Sequence, residues 1–382
     1  MSQKKILFNL IYPTKDIGGG WNYIENFIAA IFSNKKSKDY EFFALCNEES
    51  VKLVKDFLPT ENVDVCISVK DSKKYLKRIY YENVYTKTFI ANKSIDIQHW
   101  FGNVASPISK TCNHIVIHDF LFWKNFRENI ARTLYQMTLF KVNSYMGNNF
   151  YLPISNKTKK DLKEITNSKG NVINIIPNAL DDNYGKISIE DVDNFKRKFN
   201  LNYEFILFVS HTYKHKNHLS LVKAYKSYKN NGGNRKLVLR GDKINNYSSI
   251  ENAIKDSELE DDIVWLPRLS NLEMQCLYKS ATFMIFPSLY EGGGIPLMEA
   301  FACECPVACS SLNVFKNFYN DIPYYFDPNK VESILNAIKV MDESIRLRNK
   351  ISQQGLKHVE KFRYNIISDK ILNGYKLKFE EE

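Results

Sequence analysis

Short apolar runs alternate along the chain with stretches of helical spacing. ILFNLIY (6–12) has the length of a buried strand; TKDIGGG follows, then WNYIENFIAAIF with apolar residues at helical intervals. The pattern predicts strand, glycine loop, helix. Further strands are predicted at YEFFALC (40–46), VDVCISV (63–69), IDIQHW (95–100), HIVIHDF (114–120), NFYLPIS (149–155) and NVINIIPN (171–178). Helices are predicted over 72–92, over 125–146 and just after Ser155. A second series starts at EFILFVS (204–210) and runs through KLVLRG (236–241), IVWLP (263–267), FMIFPS (283–288) and PVACSS (306–311). Its helices fall over 217–230, 248–257, 271–280 and from 296, and 328–382 reads as mostly helical and charged. Between the two series, 179–202 is polar with few strand signals, and the interdomain connection is placed there. Alternating strands and helices predict parallel α/β sheets. A length of 382 residues exceeds one ordinary core and fits two domains, 1–180 and 203–361. Two such domains in tandem take ligands at the carboxyl ends of their strands, in the cleft between them.

The candidate chemistry falls at those strand ends. Residues 290–300 read YEGGGIPLMEA, with Glu291 and Glu299 bracketing three glycines and Pro296. Glycines leave the backbone open to a ligand, proline suits the first turn of a helix, and a helix N-terminus seats an anion. Phosphate and hydroxyl binding in one place point to a nucleotide sugar. The same residues also read as an ordinary helix cap. Lys216, in HTYKHKNH, stands just before a helix, where an ammonium holds a pyrophosphate and stabilises it as it leaves; Lys214 is a weaker candidate, and both also read as solvated loop lysines. His118 ends a buried strand, as a hydrogen-bonding imidazole or a structural residue, with Asp119 to fix its tautomer or shape the turn. Gly18, Gly19 and Gly20 follow the first strand and allow close approach of a diphosphate. They do not form a dinucleotide fingerprint, because Tyr23 stands where Gly or Ala is needed, which counts against an oxidoreductase.

Composition adds limits. Hydrophobic residues at 44% and charged residues at 25% fit a soluble globular chain, and no apolar run is long enough to span a bilayer. The first apolar run is short and Asp16 follows it, so no secretory signal is expected and the location is cytoplasmic. The net charge of +10 is densest over 70–93, where lysines interleave with tyrosines and isoleucines. That zone reads as a solvated helix face or as a contact with the anionic inner face of a membrane. Nucleic acid ranks last, since no recognisable motif for it accompanies the charge. The seven cysteines include no CxxC, and Cys303, Cys305 and Cys309 fit no common zinc spacing, so reduced thiols are expected.

Taken together, these residues resemble the retaining, nucleotide-sugar-dependent glycosyltransferases of family 4, which have the GT-B fold of two Rossmann-like domains with a deep interdomain cleft. The family's E-G-F-G-L-P-x-x-E element is similar to Glu291-Gly-Gly-Gly-Ile-Pro-Leu-Met-Glu299. GGGWNY, IHDF, LPISNKTKKDL, IIPNAL and YKHKNH resemble further family segments spread over most of the chain. The resemblance implies that Glu299 holds the ribose of the donor, Glu291 its sugar and Lys216 its pyrophosphate. It implies that amides near Gly293, Gly294 and Ile295 surround sugar and pyrophosphate, and that Gly19 and Gly20 pass close to the diphosphate. His118 is then placed near the reacting carbon, and Ser210, Arg240 and Leu297 complete the donor-binding set. It implies transfer of a hexose from a UDP- or GDP-sugar to a glycan or lipid-linked glycan, with retention and without a metal or other cofactor. The helix 362–382 would pack back on the first domain. Two departures stand out: Ser210 replaces a frequent arginine, which turns attention to Arg240, and Gly293 replaces the usual Phe. Rival readings are a nucleotide-sugar epimerase and a non-catalytic nucleotide-sugar or nucleic-acid binding protein.

Overall fold

The computed structural model describes residues 3–13, 19–72, 74–108, 111–118, 120, 130–145, 148–166, 171–172, 174–244 and 246–379. The chain forms two compact units, Met1–Asp181 with Phe362–Glu382, and Asp182–Lys361.

The first unit is built on a seven-stranded sheet: β1 (Lys4–Leu10), β2 (Tyr40–Asn47), β3 (Val63–Ile67), β4 (Ile97–Trp100), β5 (Cys112–Ile117), β6 (Asn149–Pro153) and β7 (Asn171–Val172). The order is β3-β2-β1-β4-β5-β6-β7, and every pairing is parallel. Ile6 of β1 registers with Phe42 on one side and Ile97 on the other. With both faces covered, the strand is apolar nearly throughout, which explains the unbroken run in the sequence. Leu7, Ile11, Phe43, Leu45, Ile67 and Ile95 form one core cluster; a second gathers Trp100, Ile115, Ile117, Phe140 and Tyr151. The final helix, Tyr364–Phe379, belongs to this unit. The Tyr364 hydroxyl donates to Asn26 Oδ1 at 2.8 Å and Asn34 Nδ2 to Ser368 Oγ at 2.9 Å, while the Tyr375 hydroxyl lies 3.3 Å from His99 Nδ1.

The second unit has six parallel strands, β8 (Phe205–Val209), β9 (Lys236–Arg240), β10 (Ile263–Leu266), β11 (Phe283–Phe286), β12 (Val307–Ser310) and β13 (Tyr324–Phe326), in the order β10-β9-β8-β11-β12-β13. In both sheets the order reverses in the middle, between β1 and β4 and between β8 and β11. Loops leaving the two strands at such a point diverge and leave a crevice for ligands.

Several local expectations are corrected. The polar stretch 179–202 contains a helix, Ile189–Lys198, belonging to the second unit. Ser188 caps it by accepting the Asp191 N–H, and acidic residues at its start with basic ones at its end match the helix dipole. Beyond Asn171–Val172 the described part of 171–178 is not strand. The helix expected over 72–92 is divided into Tyr75–Tyr80, a π-turn Tyr81–Tyr85 and Thr86–Lys93. β13 was not anticipated; three residues on a sheet edge leave little periodicity to read. Of the helix expected over 125–146, Ile130–Tyr145 is seen, and 125–129 lie outside the described residues. All seven cysteines are free, and burial raises the thiols of Cys303, Cys305 and Cys309. Among the described residues no helix is long and apolar enough to cross a membrane.

Candidate functional site

The two loops that flank the switch point of the second sheet are fastened to each other. After β8 the chain makes a short 3-10 turn, Lys214–Lys216, and Asn217 then takes a left-handed conformation (φ 64°) before the helix His218–Asn230. Asparagine tolerates that conformation better than most residues. Its Nδ2 donates to the carbonyls of Pro287 at 3.2 Å and Pro328 at 2.8 Å. The Leu289 N–H donates to the His215 carbonyl at 2.7 Å. Lys216 Nζ then meets Glu291 Oε1 at 2.5 Å, and both side chains are largely buried, 18% and 10% exposed. Held from three sides, the lysine is aimed rather than solvated.

The glycine loop follows β11. Gly294 is left-handed (φ 67°) and caps the helix Ile295–Ala302. A Cβ there would stand 2.6 Å from Phe315 Cε1, so glycine is required by backbone and by space. The Tyr319 hydroxyl donates to the Gly294 carbonyl at 3.1 Å and fixes the loop from below. Leu297 and Met298 return their N–H groups to that carbonyl at 3.0 and 3.4 Å. Among the described residues the amides of Gly293 and Ile295 make no hydrogen bond, which leaves them to a ligand. Leu297 itself is a correction: its side chain is wholly buried and its N–H is used, so it serves the helix and the core.

Glu299 lies in the helix that Ile295 opens. The Tyr278 hydroxyl donates to its Oε2 at 2.8 Å. Burial raises the carboxyl to about 7, and the Tyr278 bond only partly opposes this. Burial, then the neighbouring Lys216 charge, lowers His215 and His218, the latter to about 4, so both are neutral near pH 7. Fixed positive charge near the site comes from Lys216 and Arg240, and Arg268 lies close enough to act on Arg240 and His211.

Arg240 ends β9, next to β8. Its side chain is 11% exposed, and its nearest anion is Asp242 at 3.7 Å. Its buried Nε has no hydrogen-bond partner, and burial lowers its pKa. Ser210 follows β8; its N–H donates to the Arg240 carbonyl at 2.7 Å and its hydroxyl to the His211 carbonyl at 3.0 Å. Gly241 is obligatory beside it, since a Cβ there would fall 1.9 Å from the Ser210 carbonyl oxygen. The Asp242 N–H donates to His211 Nδ1 at 2.9 Å. Amides, cations and carboxylates together are a set suited to phosphates and hydroxyls.

His118, Gly19 and Gly20 stand in the first unit. Gly19 and Gly20 open the helix Gly19–Ser33 after β1, while Gly18 and Asp119 lie outside the described residues. His118 follows β5, and its Nε2 lies 3.1 Å from the Phe101 carbonyl. A carbonyl can only accept, so Nε2 carries the proton and Nδ1 is left as an acceptor. Burial lowers this imidazole to about 4, so it is neutral at pH 7. The tautomer is thus set by Phe101. The Tyr23 ring packs edge-on against the imidazole at 4.8 Å, and Asn103 Oδ1 accepts the His118 N–H at 2.8 Å.

Sequence reasoning missed Tyr278, Asn217, Tyr319 and Asp242. Only Asn217 had a signal, an asparagine directly before a helix. The others look like core or loop residues until the chain is folded.

A fold of this kind is shared with known structures. The Anabaena protein Alr3699/HepE, in complex with UDP and glucose, superposes with a TM-score of 0.76 over 98% of this chain and 99% of its own, at 16% identity. The two parallel α/β units are those of the GT-B fold. Residues 190–358 match the model of the family Glycosyl transferases group 1. It is 27% identical over 192 residues to the O-antigen chain mannosyltransferase RfbU of Salmonella typhimurium; the match covers 50% of this chain and spans half of that relative's own length. Over 279 residues, 64% of this chain and 72% of the relative, it is 27% identical to the N-acetylgalactosamine-N,N'-diacetylbacillosaminyl-diphospho-undecaprenol 4-alpha-N-acetylgalactosaminyltransferase of Campylobacter jejuni.

Proposed function

We propose that the protein transfers a hexose from a UDP- or GDP-sugar to a glycan or lipid-linked glycan, with retention of configuration, on the cytoplasmic side of a bacterial surface-polysaccharide assembly line. The observation that carries this reading is the Lys216–Glu291 contact at 2.5 Å, set beside a glycine-capped helix start with Glu299 further along the same helix. The relatives' printed names support the substrate class: one acts in O-antigen synthesis, another on a diphospho-undecaprenol-linked acceptor, and a structure of the same fold holds UDP and glucose.

In this reading the diphosphate displaces Glu291 from Lys216. The freed carboxylate turns to the sugar hydroxyls, and the amides of Gly293 and Ile295 take phosphate or sugar oxygens. As the bond to the anomeric carbon breaks, Lys216 and Arg240 stabilise charge collecting on the departing diphosphate. Ionised Glu299 accepts the ribose hydroxyls. His118 accepts a hydroxyl hydrogen at Nδ1 and positions the reacting sugar or the acceptor; with a pKa of about 4 it is a weak base, so its part is orientation.

A thermal-shift screen of UDP-, GDP-, ADP- and TDP-sugars tests the donor half, because a ligand that binds only the folded state raises the melting temperature. One donor is expected to give a clear shift that Glu299→Ala abolishes. A flat response to all four overturns the reading. Radiolabelled donor then separates transfer from epimerisation, since an epimerase leaves the label on the nucleotide.

A further inference from the structure

The helix Ile345–Val359 is pinned at the amino ends of the second sheet. A Cβ on Gly355 would stand 2.1 Å from Phe301 Cδ1, so the helix lies hard against the end of Ile295–Ala302. Ser352 Oγ donates to the Glu304 carbonyl at 2.8 Å, in the turn that leads into β12. The loops after β8 and β11 leave the opposite ends of these parallel strands.

Between this helix and the turn that follows the helix Asn313–Tyr319 lies an open cavity of about 710 Å³. That is the size of a small-molecule site. Lys350, Gln354, Lys357 and Lys361 line one wall. Their spacing of four, three and four residues keeps them on one stripe. At 1.5 Å per residue the stripe runs roughly 16 Å from Lys350 to Lys361, too far for one phosphate to reach both ends. Among the described residues Lys350 and Lys357 pair with no carboxylate, and Gln354 makes no side-chain hydrogen bond.

The facing wall is fixed in place. Asn320 has φ 51° and ψ −133°, a conformation that suits glycine and strains any other residue. The strain holds a carboxamide at the cavity, where Asp321 adds the one lining carboxylate. The Tyr325 hydroxyl fastens the turn by donating to the Asn320 carbonyl at 2.6 Å. His358 closes the corner: its Nε2 donates to the Phe318 carbonyl at 2.5 Å, and its ring lies 6.0 Å from that of Tyr319.

We propose that this cavity is a second ligand site, for an acidic oligosaccharide. The ammonium groups of Lys350, Lys357 and Lys361 meet carboxylates or phosphates on separate sugar residues, and Gln354, Asn320 and Asp321 bond the hydroxyls between them. Three lysines against one carboxylate set the sign of the ligand. Ile322 is the one aliphatic side chain in the lining, too little for a lipid chain, and the lining holds no phenyl, phenol or indole ring on which bases would stack. The site shares no residue with the donor loops, and the inference does not rest on the proposed function.

Calorimetric titration of the full chain tests it, with trigalacturonate and a doubly phosphorylated maltotriose as probes and neutral maltotriose as comparison. At least one acidic probe is expected to bind and to be released by salt, and the tighter of the two tells carboxylate from phosphate. Lys350→Gln with Lys357→Gln is expected to weaken binding about tenfold, at roughly threefold per lysine. Asn320→Gly keeps the backbone conformation while removing the carboxamide, and is expected to weaken binding about threefold without lowering the melting temperature. The substituted side chains are exposed, so the donor thermal shift should be unchanged, and Lys216→Ala should bind the acidic probe as wild type does. Failure of both acidic probes to bind, equal binding of maltotriose, or binding that survives the lysine substitutions overturns the proposal. So does loss of binding in Lys216→Ala, which would move the sugar to the donor site. Equally tight binding of inorganic phosphate overturns it in favour of a simple counter-ion, and tighter binding of a single-stranded oligonucleotide overturns it in favour of nucleic acid.

Discussion

Each unit places polar residues just beyond the carboxyl ends of its strands, yet the two halves are equipped differently. In the second, loops after β8 and β11 are stitched together by Asn217, His215 and the Lys216–Glu291 pair, and the glycine turn is held from behind by Tyr319. In the first, His118 leans on the Phe101 carbonyl and the Tyr23 ring, with an acceptor nitrogen left over. Under the proposed function the contrast would be a division of labour, with one half gripping a constant chemical handle and the other presenting a single orienting group. A constant handle demands fixed charges and backbone amides, so it leaves a motif; an acceptor surface needs only shape and one or two hydrogen bonds.

The largest test of that contrast is Lys216→Ala. Loss of the cation removes charge stabilisation from the leaving diphosphate and strands Glu291, 10% exposed, without a partner. Turnover should fall by about a hundredfold to a thousandfold, read as kcat/KM, and the melting temperature should fall as well; a change of less than about threefold would break the comparison. Next comes His118→Gln, expected to reduce kcat by about a hundredfold while the donor's thermal shift stays put, because orientation is lost and grip is not. Equal loss of donor affinity would erase the distinction between halves.

Gly294→Ala should cost about 2 kcal/mol of stability, from the left-handed backbone and the Phe315 contact, measured by denaturant unfolding. The smallest effect sharpens the picture by pH. Glu299 is raised to about 7 in the folded chain, so its carboxylate, and with it ribose binding, should strengthen as pH rises through about 7. Stability moves the other way: a raised carboxyl favours the fold at low pH, and that contribution is lost as pH climbs from the ordinary glutamate range through about 7. Glu299→Gln should weaken donor binding about tenfold above that pH and flatten both trends, as followed by titration and by melting curves.

Most of the sheet framework was readable because strands covered on both faces must be apolar throughout, as in ILFNLIY and EFILFVS. The glycine turn was readable because its backbone admits few alternatives. What escaped had physical causes. The helix Ile189–Lys198 sits in a stretch whose few apolar positions look like linker until Ser188 is seen as a cap. β13 is only three residues long. Leu297 was taken with its neighbours in the motif, but successive residues of a helix point different ways, and this one points into the core. Tyr278 reaches Glu299 from another helix, a meeting that no spacing along the chain encodes. The π-turn was invisible for a similar reason, since periodicity alone does not distinguish a wide turn from a regular one.

The return of the last helix to the first unit has a bearing on how the molecule is made. Residues 182–361 are contiguous, whereas the sheet of β1 to β7 lacks Tyr364–Phe379, and with it the Tyr375 hydroxyl beside His99, until the ribosome has read through the whole of the second unit and past it. Translation from the amino end therefore delivers every part of the later-encoded half before the earlier one is finished, so the half begun first is the last that can mature.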